Sequence, residues 1–85
     1  MKKLTVDEVK KIYVKNSFIK CRKYYDINFW CIIPLVIIKD GIKTTIHKWG
    51  INSEDELVME DGKFKGKFIS LKKYNVNESN YKIYC

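Results

Sequence analysis

Proline occurs once and glycine only four times in these 85 residues, and each scarcity excludes something. Without clusters of chain-breaking residues there is no candidate linker, so the chain reads as a single domain, 1–85. Cysteine is also sparse: Cys21, Cys31 and Cys85 form no Cys-x-x-Cys pair. An odd count without such pairs argues against a secreted disulfide framework. Long hydrophobic runs are missing too. The longest, residues 29–38, contains Pro34 and falls far short of the roughly twenty residues a spanning helix needs. Asp7 and Glu8 stand where a signal peptide would carry its apolar run. The expectation is a cytoplasmic protein with no membrane partner.

What is present is a folded chain. At 46% hydrophobic and 14% aromatic, it is too apolar for intrinsic disorder. Its net charge of +7 is unevenly spread. Residues 1–50 hold eleven Lys/Arg against four acids, while residues 51–85 hold six lysines against six acids. The whole excess lies in the first part, which points to a polyanionic partner. All but one of the cations are lysine, so bidentate recognition by arginine has little part in it.

Local signals predict an α+β fold, with one N-terminal helix packed on an antiparallel sheet of about five strands. Thr5 followed by Glu8 makes a capping box for a helix from Val6 to Asn16. Leu4 and Val9 suit a hydrophobic staple, and Val6, Val9, Ile12 and Tyr13 share one face. Strands are expected at 18–25, 28–39 and 42–49, the last two joined by a type I′ turn at Asp40-Gly41. A second hairpin, 55–60 and 63–71, would turn at Asp61-Gly62 with Glu60 facing Lys63 and Glu56 facing Lys67. Its apolar face would gather Leu57, Met59, Phe64 and Phe68. A short strand at 81–85 would close the set. In the first hairpin Ile33, Leu35, Ile37, Ile42, Thr44 and Ile46 would face the core. Pro34 marks an edge or bulge on the 28–39 strand.

No constellation argues for catalysis, so no catalytic residues and no cofactor are expected. A Cys–His pair with His47 lacks an orienting acid and a nucleophile turn. Cys21, Cys31, His47 and Cys85 have the types for a zinc site, but their wide gaps and opposite strand faces work against convergence. No metal site is expected, and no small-molecule substrate. The acids serve helix starts, turns and lysine pairing, with Glu54 and Asp55 in a solvated loop.

The cluster with most to offer is Lys20, Arg22, Lys23, Tyr24 and Tyr25, with Lys10, Lys11 and Lys15 on the preceding helix. Lysines that track phosphate, interleaved with aromatics that stack bases, suit a nucleic-acid surface. The same pattern also occurs on a solvated sheet edge. A second candidate is apolar: Ile32, Val36, Ile38 and Trp49 would form a partner or dimer face opposite the core, unless a curled sheet buries both faces. In size, basic charge and lack of catalytic motifs the chain resembles small phage- or plasmid-encoded inhibitors of nucleic-acid machinery, anti-CRISPR proteins among them. That resemblance is one of general character and implies an inhibitor that occupies a nucleic-acid site. The reading is a non-catalytic binding protein for a nucleic acid or a nucleic-acid-bound protein. The alternative is a homodimeric interaction module without a nucleic-acid role.

Overall fold

The computed structural model describes residues 1–24 and 26–85, the side chains of Lys23 and Tyr24 excepted. The fold is α+β. Helix α1 spans Val6–Asn16, and the Thr5 hydroxyl accepts from the Glu8 N–H while the Glu8 carboxylate accepts from the Thr5 N–H. Leu4 and Val9 are both buried, as a staple requires. The Lys2 ammonium also donates to Glu8. That hydrogen bond, followed by the one from the Thr5 backbone, holds the Glu8 carboxyl down at about 2, below its ordinary 4.5. A depressed carboxyl stabilises the fold above its ordinary range, and the contribution disappears as pH falls from about 4.5 toward about 2. Glu8→Gln should therefore flatten the acid limb of the stability curve, and an NMR titration of the Glu8 carboxyl should report the low midpoint directly.

The strands form three small antiparallel sheets among the described residues. β1 (Ile19–Tyr24) pairs with β2 (Ile27–Trp30). β3 (Leu35–Lys39) lies between β4 (Ile42–Ile46) and β8 (Tyr81–Tyr84). β6 (Glu56–Met59) lies between β5 (Trp49–Ile51) and β7 (Phe68–Ser70). The expected single sheet is thus divided, and a short helix, α2 (Leu71–Asn75), follows β7 where sequence showed no helical period. Five residues are too few to display one.

The division comes from a bulge at Pro34. Between β3 and β4 the register is the expected one, Leu35 opposite Ile46 through Lys39 opposite Ile42. Asp40 and Gly41 both have positive φ, 51° and 78°, which is the type I′ signature. On the far side of Pro34 the next pair is Cys31 with Trp49. Three residues on one strand therefore oppose two on the other. A one-residue offset turns side chains to the opposite face, and the chain bends there, so β2 and β5 leave the sheet of β3 and β4. Trp49 is the residue most affected. Placed outside by simple alternation, it is fully buried, donates its indole N–H to the Ile33 carbonyl at 2.8 Å and lies 5.7 Å from the Tyr13 ring. Ile33 and Ile42, expected inside, are partly exposed at the two ends of that hairpin.

The second Asp-Gly makes a different turn. Gly62 has φ 81° but Asp61 is not in the left-handed region, so type I′ is ruled out. The Asp61 carboxylate instead accepts from the backbone N–H groups of His47 (2.9 and 3.1 Å) and Lys48 (3.4 Å). The Thr44 hydroxyl accepts from the Lys63 N–H at 3.0 Å. Residues 60–66 become a loop docked on the β4 end, and the pairing is Glu56 with Ser70, Leu57 with Ile69 and Val58 with Phe68. The expected Glu60–Lys63 and Glu56–Lys67 pairs therefore do not form. Glu56 accepts from Asn52 instead. Phe68 is exposed and Ile69 takes its place in the core, while Phe64 packs edge-on against Tyr81.

A Cβ at Gly62 would stand 2.8 Å from the Thr44 hydroxyl oxygen and 3.3 Å from the Thr45 carbonyl oxygen, whereas at Gly41 it would meet open space. Gly41→Ala should cost about 1–2 kcal/mol for its left-handed backbone alone. Gly62→Ala should cost more, because it meets both obstacles. Urea unfolding of the two variants checks the order.

Both faces of β6 are covered. Leu57 and Met59 join the main core with Val9, Leu35, Ile37, Ile46, Trp49 and Ile83. Val58 enters a separate small cluster with Cys21, Ile27 and Trp30. The β1–β2 hairpin thus sits on the far side of the β5–β6–β7 sheet from the main core. Gly50 lets it approach, since a Cβ there would stand 2.7 Å from the Ile27 Cγ2. No helix among the described residues is long and apolar enough to cross a membrane.

Candidate nucleic-acid interface

The β1–β2 hairpin is a two-stranded ribbon, a form too small to be stable alone. Its inner side is anchored by Cys21, Ile27 and Trp30 and by the Tyr13 hydroxyl, which donates to the Phe29 carbonyl at 2.6 Å. Burial raises the pKa of Tyr13, so it remains a donor at neutral pH. Lys20 and Arg22 are exposed on either side of buried Cys21. Lys20 lies directly opposite Phe29 in the ladder. Phe29 is 43% exposed and Phe18, two residues before Lys20, is 76% exposed. The ribbon therefore carries Lys20 beside Phe29 on one exposed face, with Arg22 and Phe18 also exposed close to them in the chain.

The other basic residues are distributed differently. Lys11 and Lys15 are exposed on α1. Lys10 is held by Asp55 at 3.0 Å, which removes it from the free cations and gives Asp55 a role beyond a solvated loop. Lys39 lies over the Tyr81 ring at 4.9 Å and Lys48 over the Trp30 ring at 5.8 Å, so both are engaged inside the molecule. Tyr25 lies outside the described residues, as do the side chains of Lys23 and Tyr24.

The aromatics of the interface are thus Phe18 and Phe29, which sequence reasoning did not select. Finding Phe29 requires the cross-strand register. Tyr24 pairs with Ile27, yet Lys20 pairs with Phe29 after an irregularity between the two, so counting outward from the turn would have paired Lys20 with residue 31.

The apolar face expected at Ile32, Val36, Ile38 and Trp49 is not one surface. Trp49 is in the core, and Val36 and Ile38 are half-buried between neighbouring strands. Val36 is flanked by Thr45 and Tyr84, and Ile38 by Lys43 and Lys82. β8 therefore covers one side of this strip. Ile32, 54% exposed beside the bulge, is the open member.

Cys31 is fully buried, and its burial raises the thiol pKa, which favours the inert thiol over the thiolate. All three cysteines are unpaired. Among the described residues no group of three or more His, Cys, Asp or Glu is placed to hold a metal ion. His47 is exposed and approaches Asp61 at 3.6 Å.

No family model, no curated protein and no solved structure matches the chain.

Proposed function

We propose that this is a non-catalytic binding protein whose β1–β2 ribbon docks on nucleic acid, single-stranded in preference to duplex. The cross-strand pair of Lys20 and Phe29, with Phe18 and Arg22 exposed in the same stretch of chain, carries the reading. Cations along such a face neutralise phosphates, and open rings stack bases whatever the sequence. Stacking needs bases free of their partners, which is why single strands are favoured. A protein of this kind acts by occupancy inside the cell. Bound to a guide, a template or an exposed strand, it would block a nucleoprotein enzyme that needs the same strand.

The test is binding of labelled single-stranded RNA, single-stranded DNA and duplex DNA at two salt concentrations. The expected result is binding to the single strands with log affinity falling against log salt by roughly 0.7 per phosphate contacted. No binding at low salt would reject the reading.

The second reading, a homodimeric interaction module, is supported by the exposed residues Phe29, Ile32 and Ile33. It expects a dimer in solution that Ile32→Glu converts to monomer, and a monomeric mass for the unaltered protein would reject it.

A further inference from the structure

The molecule has a second basic surface, away from the ribbon, and it is concave. A groove of about 440 Å³ runs between the N-terminal segment, the end of α2 and the start of β8. Its volume falls within the usual range for small-ligand sites, roughly 300–1,000 Å³. The N-terminal segment is fixed there by backbone pairing with β8, Lys2 to Cys85 and Leu4 to Ile83. The Tyr74 hydroxyl closes the other side by donating to the Leu4 carbonyl at 2.6 Å. The walls are therefore tied together by backbone pairing on one side and the Tyr74 hydroxyl on the other.

The lining carries two cations, Lys3 and Lys82, and no acid. Glu8, close in sequence, is already engaged by Lys2 and Thr5, and Glu78 does not line the groove. Asn75 and Asn77 add side-chain amides, each with both a donor and an acceptor end. Among the described residues no hydrogen bond or ion pair engages the side chains of these four. Half-buried Tyr81 supplies aromatic wall, while Tyr74 lines the groove as a buried member of the core. Tyr81 is held from elsewhere by Phe64 and Lys39.

We propose that this groove binds a nucleotide, with the phosphate between Lys3 and Lys82 and the base against Tyr81. The two cations without a neighbouring acid select an anion. The aromatic wall and the amides select a flat body with hydrogen-bonding edges, which excludes a bare inorganic anion as the preferred ligand. The site stands independently of the ribbon, so either assignment can fail without the other. Its ligand is either a free nucleotide or the phosphorylated end of a strand.

The experiment is an NMR titration of the isotope-labelled protein with AMP, adenosine, orthophosphate and a 5′-phosphorylated trinucleotide. AMP is expected to shift the amides of residues 3–6 and 74–82, and to bind at least tenfold more tightly than adenosine or orthophosphate. Lys3→Glu with Lys82→Glu should weaken AMP at least tenfold while leaving the rest of the spectrum unchanged, because both side chains are exposed. Lys82→Ala alone gives a milder check on the same point. A trinucleotide that binds more tightly than AMP assigns the groove to a strand end, and one that does not assigns it to the free nucleotide. Orthophosphate as tight as AMP, shifts that survive the double substitution, or no shifts in the groove would each overturn the proposal.

Discussion

Trp49→Ala should destabilise the protein by about 3–5 kcal/mol, the range for removing a large aromatic from a packed core. Trp49 is fully buried, packs against Tyr13 and belongs to the main cluster. Its indole N–H satisfies the Ile33 carbonyl at the bulge. The alanine variant loses the ring, opens a cavity and removes that carbonyl's partner. Domains of this size hold roughly 0.05–0.15 kcal/mol per residue in reserve, so much of the stability should go. Trp49→Phe keeps most of the packing and loses the hydrogen bond, and should cost markedly less. Urea unfolding of the three proteins measures this. A cost below about 1 kcal/mol for the alanine variant would place Trp49 on the surface, where strict alternation puts it.

Lys20→Glu combined with Arg22→Glu should reduce single-strand binding at least tenfold and leave the fold intact. Both residues are exposed, and neither belongs to the small cluster that anchors the ribbon. If each contacts one phosphate, the salt dependence of log affinity should also drop by about 1.4, at roughly 0.7 per contact. That change in slope separates lost phosphate contacts from a general loss of structure, which would remove binding without a defined slope. Phe29→Ala should weaken binding and leave the slope unchanged, since stacking releases no counterions.

Much of this architecture can be read from short-range chemistry. Thr5 and Glu8 specify the start of α1, and Asp40-Gly41 specifies both a turn and a register, because in each case the signal acts within a few residues. Asp61-Gly62 misleads for a physical reason. The Asp61 carboxylate binds backbone groups at residues 47 and 48, a long-range use that outweighs the local turn preference. Trp49 is misplaced for a related reason. Pro34 does reveal an irregularity, but the bulge changes the inward face beyond it only once Cys31 is paired with Trp49. The candidate site follows the same division. Lys20 and Arg22 stand out by charge and spacing, whereas Phe29 joins them only through an irregular cross-strand register. Lys10 looks free until Asp55 is seen beside it.

The most direct test of the central claim is to map, by amide chemical shifts, where a short single-stranded oligonucleotide touches the labelled protein. The account predicts perturbations at residues 18–22 and 28–30, fading as salt is raised. Perturbations confined to other surfaces, or none at low salt, would contradict it.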